Sequence, residues 1–159
     1  MDAWTVKDAI DLYNVNGWGR KLFSINEKGH IIIEPNGKGE GQIDIKQVVD
    51  DLVRRGLSLP LLLRFPDLLR DSLSRIYNSF YEKIEEYSYQ GSYLPVMPIK
   101  VNQQRHVVEE LLEFSGEYPL GLEAGSKPEL LIAITLMSKR GGLVVCNGYK
   151  DQAYIETAL

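Results

Sequence analysis

A single lysine follows an apolar segment in the run Pro98-Ile99-Lys100-Val101-Asn102-Gln103. A lysine amine is a poor nucleophile while it is protonated, but apolar surroundings disfavour the charge and free the amine to form a Schiff base with an aldehyde. Lys100 is therefore the leading candidate for a catalytic residue. The alternative is a lysine at a strand end whose charge reaches solvent and which has no chemical role.

The segment before Lys100 predicts the strand that positions it. Residues 92–99 are mostly apolar and residues 102–104 are polar. An apolar strand is typical of a parallel sheet that is covered on both faces by helices. Ligands bind at the carboxyl ends of the strands in such sheets, so we expect Lys100 at the functional edge. Pro95 and Pro98 leave the first and last residues of this strand undefined, because proline cannot donate a backbone hydrogen bond to a neighbouring strand.

From residue 92 onward the hydrophobic pattern predicts three strands that alternate with helices. The strands start near Leu94, Leu120 and Leu143, about 23 to 26 residues apart, a spacing typical of parallel strands joined by right-handed helical crossovers. Glycines 141 and 142 predict the turn into the last of these strands. The pattern therefore predicts an α/β fold.

Two helices are predicted between these strands. The apolar face of the first consists of Val107, Val108, Leu111 and Leu112, and His106 is expected on its solvent side. The second is expected to open with a capping box, in which Ser126 accepts from the Glu129 N–H and Glu129 reaches back.

Residues 1–60 have a different, β-rich pattern. Residues 21–26 and 30–34 predict a hairpin around a turn that contains glycine. Residues 35–41 form a polar, glycine-rich loop without the Gly-Lys-Ser/Thr ending of a phosphate-binding loop. Residues 45–52 have the apolar spacing of a short amphipathic helix.

The segment after residue 60 predicts a strand over 60–65 and a helix over 66–87. Pro66 suits the first turn of this helix, where a backbone N–H has no partner in the helix. One face is expected to carry the apolar residues Leu69, Leu73, Ile76, Phe80 and Ile84. The aromatic residues Tyr77, Phe80 and Tyr81 are interpreted as packing residues and not as a ligand cage.

The composition narrows the class of protein. The 159 residues are 44% apolar and 25% charged, with a net charge of −4, so we expect a soluble domain that binds neither nucleic acid nor polyanions. Cys146 is the only cysteine, so no internal disulfide can form. The sequence has no apolar run near 18 residues, and its start lacks the pattern of a signal peptide. We therefore expect a cytoplasmic protein without membrane contact.

Several motifs, in order, make the chain similar to one enzyme family. The run PIKVNQ at 98–103 is followed by GLEAGSKPEL at 121–130 and VCNGYKD at 145–151. Earlier segments that share the likeness are 13–15, 18–19 and 64–66. Together they resemble the biosynthetic arginine decarboxylases, which belong to the alanine-racemase-like group of pyridoxal 5'-phosphate (PLP) enzymes. The resemblance covers essentially the whole chain, but the enzymes of this family are several times longer.

The resemblance implies a function and a set of site residues. Lys100 matches the lysine that holds PLP as a Schiff base, and the family decarboxylates L-arginine to agmatine and CO2 in polyamine and spermidine biosynthesis. Glu123 matches an acidic position close to the cofactor and is expected to orient Lys100 or its Schiff base with PLP; the alternative is a carboxylate that pairs with Lys127. Ser126 and Asn147 are expected to contact the cofactor, although a helix cap and a turn also explain them.

The resemblance also implies a fold and further partners. Residues 1–60 match a β-rich segment of the accessory β domain, and residues 61–159 match the first three βα units of a (β/α)8 barrel, which needs roughly 250 residues to close. The chain is thus expected to be an N-terminal portion that is inactive alone. The family uses Mg2+, for which this chain shows no ligand cluster. The full-length enzyme is expected to be a homo-oligomer.

Two other functions stay open at this point. The same fold group contains non-catalytic PLP-binding proteins and pseudoenzyme subunits that pair with active partners. The chain could also be a small, open α/β ligand-binding domain in which Lys100 is structural. Such a domain predicts a well-folded, cooperative monomer, whereas an unclosed barrel should be loosely packed or prone to aggregation.

Overall fold

The structure is a computed structural model that describes residues 3–35 and 41–159. The predicted glycine-rich loop over 35–41 lies mostly outside the described residues. The chain divides into two compact units, Met1–Asp71 and Ser72–Leu159, and each is described by itself.

The first unit contains a small antiparallel sheet. Its strands are β1 (Phe23–Ile25), β2 (Ile31–Ile33) and β3 (Ile43–Asp44), in the order β1-β2-β3. The predicted hairpin is confirmed, and Gly29 takes a positive φ of 77° in its turn, which glycine adopts without steric cost. The pattern had not predicted β3, because a strand of two residues is too short to show alternation.

In the described part of this unit, the sheet is accompanied by the helices α1 (Val6–Leu12), α2 (Val15–Gly19) and α3 (Ile45–Arg54). The predicted helix over 45–52 is confirmed as α3, which runs a little further. Asp44 caps it by accepting from the Gln47 N–H at 3.1 Å. The same carboxylate bonds His30 Nδ1 at 2.8 Å, so it links the hairpin to the helix start.

The strand predicted over 60–65 is wrong. Residues 61–65 form neither strand nor helix, and Leu62 is 78% exposed. An apolar run becomes a strand only when a partner receives its backbone hydrogen bonds. The helix that follows is confirmed as α4 (Pro66–Glu86).

The apolar face of α4 is only partly buried. Leu73 belongs to the core of the second unit, whereas Ile76 and Phe80 are half exposed. The aromatic residues pack mainly at the rim: the Phe80 ring stacks on Tyr93 at 3.9 Å, and the Tyr77 ring lies 5.4 Å from Tyr118. This agrees with the packing interpretation of these side chains.

The second unit contains a three-stranded parallel sheet, and this confirms the α/β prediction. Its strands are β4 (Val96–Pro98), β5 (Gly121–Ala124) and β6 (Val144–Cys146), in the order β4-β5-β6. The helices α5 (Arg105–Glu113), α6 (Lys127–Met137) and α7 (Gln152–Ala158) follow them in turn. All four residues of β5 are buried, as expected for a strand covered on both faces.

The core of this unit lies between the sheet and its helices. It includes Val108 and Leu112 from α5 together with Leu130, Ala133 and Met137 from α6. The predicted apolar face of α5 is thus confirmed, and His106 is exposed as expected. The turn at glycines 141 and 142 is also confirmed, because both take positive φ before β6 begins.

Candidate active site

The strand that precedes Lys100 is shorter than the pattern over 92–99 predicted. Only Val96–Pro98 forms β4, because Pro95 and Pro98 lack the N–H that a longer ladder requires. Pro95 still takes part through its carbonyl oxygen, which accepts from the Gly121 N–H at 2.8 Å. A single 3-10 turn, Ile99–Val101, follows the strand.

Lys100 lies in this turn, directly beyond the carboxyl end of β4, as the sequence predicted for the functional edge. Ile99 is fully buried in the core and anchors the turn. Lys100 itself is exposed, so the apolar surroundings expected around its amine are not present among the described residues. The tight turn explains this difference, since it buries Ile99 and directs the next side chain outward.

Glu123 lies on the neighbouring strand, where its Cα pairs in register with that of Pro98, two residues before Lys100. The residue is only 6% exposed, and its Oε2 atom has no hydrogen-bond partner among the described residues. The alternative pairing with Lys127 is wrong, because Lys127 Nζ donates to Asp151 Oδ2 at 2.7 Å. A buried carboxylate oxygen without a donor is costly, so this edge offers an unfilled acceptor.

Ser126 occupies the N-cap position of α6, but the predicted capping box is wrong. The Ser126 side chain makes no cap hydrogen bond. The Glu129 carboxylate accepts instead from the Gly125 N–H at 2.6 Å, one residue before the expected donor. The half-buried Ser126 hydroxyl is therefore not used by the helix.

Asn147 follows β6 at the same edge and is exposed. Its N–H donates to the Ala124 carbonyl oxygen at 2.9 Å and extends the pairing of β6 with β5. Gly148 comes next with a φ of 75°, and a Cβ there would lie 2.3 Å from the Gly125 carbonyl oxygen. The loop after β6 thus packs backbone to backbone on the loop after β5, which only glycine allows.

Tyr154 of α7 is a residue at this edge that sequence reasoning missed. It is 1% exposed, and its hydroxyl donates to the Ala124 carbonyl oxygen at 2.9 Å. Burial above all, and then a hydrogen bond with the Cys146 thiol, raises the pKa of Tyr154 to about 12, so the hydroxyl keeps its proton at neutral pH. No local signal identifies such a contact, because the two partners are 30 residues apart.

The four predicted site residues therefore lie along one edge of one sheet. Lys100 follows β4, Glu123 and Ser126 lie at the end of β5, and Asn147 follows β6. Over residues 3–35 and 41–159, no group of three or more His, Cys, Asp or Glu side chains could hold a metal ion. In the same part of the chain, none of the helices combines the length and the apolar character that a membrane span requires.

The parallel sheet and its helices make this an α/β protein. Its candidate site is amine-based: a lysine follows one parallel strand, and a buried acidic residue lies on the next strand. The sequence is 53% identical over its whole length to the biosynthetic arginine decarboxylase of Gloeobacter violaceus, and 49% identical over 98% of its length to that of Thermosynechococcus vestitus. The chain spans about a quarter of the length of these curated relatives. No family model matches it.

A solved structure is also similar to this chain, and it belongs to the same family as the curated relatives. The crystal structure of the biosynthetic arginine decarboxylase from Campylobacter jejuni matches 91% of this chain with a TM-score of 0.81 and 36% sequence identity, and the match spans 24% of that protein. The resemblance noted in the sequence is thereby confirmed: the chain is a homologue of the N-terminal portion of the biosynthetic arginine decarboxylases.

Proposed function

We propose that this chain is the lysine-bearing part of a PLP-dependent arginine decarboxylase, which converts L-arginine to agmatine and CO2. The observation that carries the proposal is the pairing of Glu123 with Pro98, which sets a buried carboxylate oxygen, unpartnered among the described residues, beside the strand that ends two residues before Lys100. The relatives support the substrate and the reaction, since their names specify arginine decarboxylation.

The residues at the edge fit PLP. The amine of Lys100 would hold the cofactor through its aldehyde, and because this side chain is exposed, its apolar surroundings would come from the remaining length of a relative. The unpartnered Glu123 oxygen would accept a hydrogen bond from the site, which offsets the cost of its burial. Ser126 and Asn147 would supply further polar contacts. When bound, PLP supplies the electron sink that accepts the electron pair left behind by the departing carboxylate.

The other parts of the site would come from the remaining length of a relative. We expect these parts to include the phosphate cradle, the acidic partner of the pyridine nitrogen and the groups that recognise the guanidinium of arginine. We propose that the parallel sheet begins a (β/α)8 barrel, in which the 159 residues alone do not decarboxylate arginine. The accessory β domain, the homo-oligomer, the use of magnesium and the cytoplasmic location stay predictions from the family resemblance.

Reduction with borohydride tests the role of Lys100. In a protein of the relatives' length that carries this chain, borohydride should fix PLP covalently to the protein, and peptide mapping should place it on Lys100. Lys100→Ala should abolish both this adduct and the release of CO2 from arginine. Lys139→Ala, which removes an exposed lysine just beyond α6, is the matched control and should change neither.

The outcomes separate the candidate functions. An adduct on Lys100 without CO2 release would favour the non-catalytic PLP-binding subunit. The absence of any adduct on Lys100 would overturn the PLP proposal and leave the small ligand-binding domain.

A further inference from the structure

One peptide unit at the end of β5, between Ala124 and Gly125, is held at both ends. Its carbonyl oxygen accepts from the Asn147 N–H and from the Tyr154 hydroxyl, each at 2.9 Å. Its N–H donates to Glu129 Oε2 at 2.6 Å. A carbonyl oxygen has two lone pairs and an amide has one proton, so every hydrogen-bonding position of this unit is filled.

The three partners come from three different parts of the chain. Glu129 belongs to α6, Asn147 to the loop after β6 and Tyr154 to α7. The backbone of Gly148 also packs against Gly125, as the 2.3 Å approach of a built Cβ to its oxygen shows. The three hydrogen bonds and this packing contact together fix the orientation of the peptide plane.

The Tyr154 side chain connects α7 to this peptide unit. Its phenol is fully buried, and the helix is positioned by Asp151, whose Oδ1 accepts from the Tyr154 N–H at 2.8 Å. The other oxygen of Asp151 binds Lys127 at the start of α6. The hydroxyl of Tyr154 consequently reaches Ala124 from a helix that is fixed at its first turn.

We infer that Tyr154 is a positioning residue for Glu123: its hydroxyl holds the peptide unit that begins one residue after Glu123 and so keeps that carboxylate at the edge where Lys100 lies. This inference rests on the proposed function, in which Glu123 acts on the site at Lys100. Among the described residues, no hydrogen bond to Glu123 Oε2 orients this side chain. Its orientation depends on its packing and on the backbone on either side, and the following peptide unit is the part of that backbone that Tyr154 contacts.

Amide hydrogen exchange in a protein of the relatives' length that carries this chain, measured without cofactor, tests the structural half of the inference. In Tyr154→Phe we expect the Gly125 amide to exchange about fivefold faster, the effect of one lost hydrogen bond. The Leu122 amide, which donates to Leu143 in the middle of the sheet, should be unchanged. Tyr118→Phe is the matched control, because it removes a phenol hydroxyl that bonds Ser74 in the same unit. Equal exchange of Gly125 in both variants would overturn the inference.

A double-mutant cycle tests the functional half. In a protein of the relatives' length that carries this chain, Tyr154→Phe should slow the borohydride-trapped reaction of PLP at Lys100 by roughly tenfold, the scale of a small misplacement in a site. If Tyr154 acts through Glu123, the same substitution made in Glu123→Gln should add almost no further loss. A purely structural role predicts independent, multiplicative losses instead, and that result would overturn the inference.

The two measurements separate this inference from the proposed function. If unmodified protein gives no adduct on Lys100, the proposed function fails, and exchange at Gly125 still decides whether Tyr154 holds the peptide unit. If the adduct forms at the same rate in Tyr154→Phe as in the unmodified protein, the proposed function stands and the positioning role is wrong.

Discussion

Lys127 Nζ donates a 2.7 Å hydrogen bond to Asp151 Oδ2 and so joins the first turn of α6 to the N-cap of α7. The same carboxylate caps α7 through its other oxygen. Because Lys127 pairs with Asp151, it forms no ion pair with Glu123, although the two residues are only four positions apart in sequence. Asp151 therefore links α6 to α7.

The hydrogen bond with Lys127, followed by the bond from the Tyr154 N–H, lowers the pKa of Asp151 below its ordinary value of 3.8. A carboxyl group whose pKa is lower in the folded state stabilises the fold above its unfolded pKa, and this stabilisation is lost as the pH falls through the folded pKa. We therefore expect Asp151→Asn to lower the melting temperature at about pH 7 and to have less effect below about pH 3. A pH series of thermal melts measures this, and a pH-independent effect would contradict it.

Gly148→Ala should be strongly destabilising, because it combines a left-handed backbone with a clash against the Gly125 carbonyl oxygen. Gly141→Ala is the matched control: its φ of 70° is similar, but nothing lies within 4 Å of the added Cβ. We expect about 1 kcal/mol for the control, from backbone strain alone, and about 2 to 4 kcal/mol for Gly148→Ala in urea unfolding. Equal losses would show that the loop after β6 relaxes freely.

Lys100→Ala should leave the stability of the chain within about 0.5 kcal/mol of its original value, because the side chain is exposed. The same variant should abolish PLP trapping in a protein of the relatives' length. Urea unfolding together with peptide mapping measures both effects. A large loss of stability would indicate that Lys100 has a structural role instead.

Glu123→Leu should raise the stability of the chain by about 1 kcal/mol or more, because an apolar side chain of similar size replaces a buried polar group with an unpartnered oxygen. Reaction at Lys100 should fall at the same time, as is common for polar residues retained in functional sites. Glu129→Leu is the control and should be destabilising, since it removes the partner of the Gly125 N–H. Urea unfolding of both variants measures the difference, and destabilisation by Glu123→Leu would show that Glu123 contributes to the fold.

The sequence predicted those parts of the fold that depend on local patterns. The turn at Gly29, the helix start at Pro66 and the spacing of the three parallel strands all follow from residue type and periodicity. The edge position of Lys100 follows as well, because a residue directly after a parallel strand must lie at the carboxyl edge.

The errors arose where a distant partner decides the structure. The apolar run over 60–65 has the composition of a strand, but no strand pairs with it among the described residues. Glu129 has the spacing of a capping box, yet it bonds Gly125. The contact of Tyr154 with Ala124 depends on how α7 packs, which no local window of the sequence contains.

The helix α7 has seven residues, fewer than a helix needs to persist by itself in water. Its order comes from the Asp151 cap and from the burial of Tyr154, whose hydroxyl bonds the Ala124 carbonyl oxygen at the end of β5. Fraying of this short helix and loosening of the sheet edge should accordingly be a single cooperative event. Unwinding of α7 would therefore also release the Ala124 carbonyl oxygen from the Tyr154 hydroxyl.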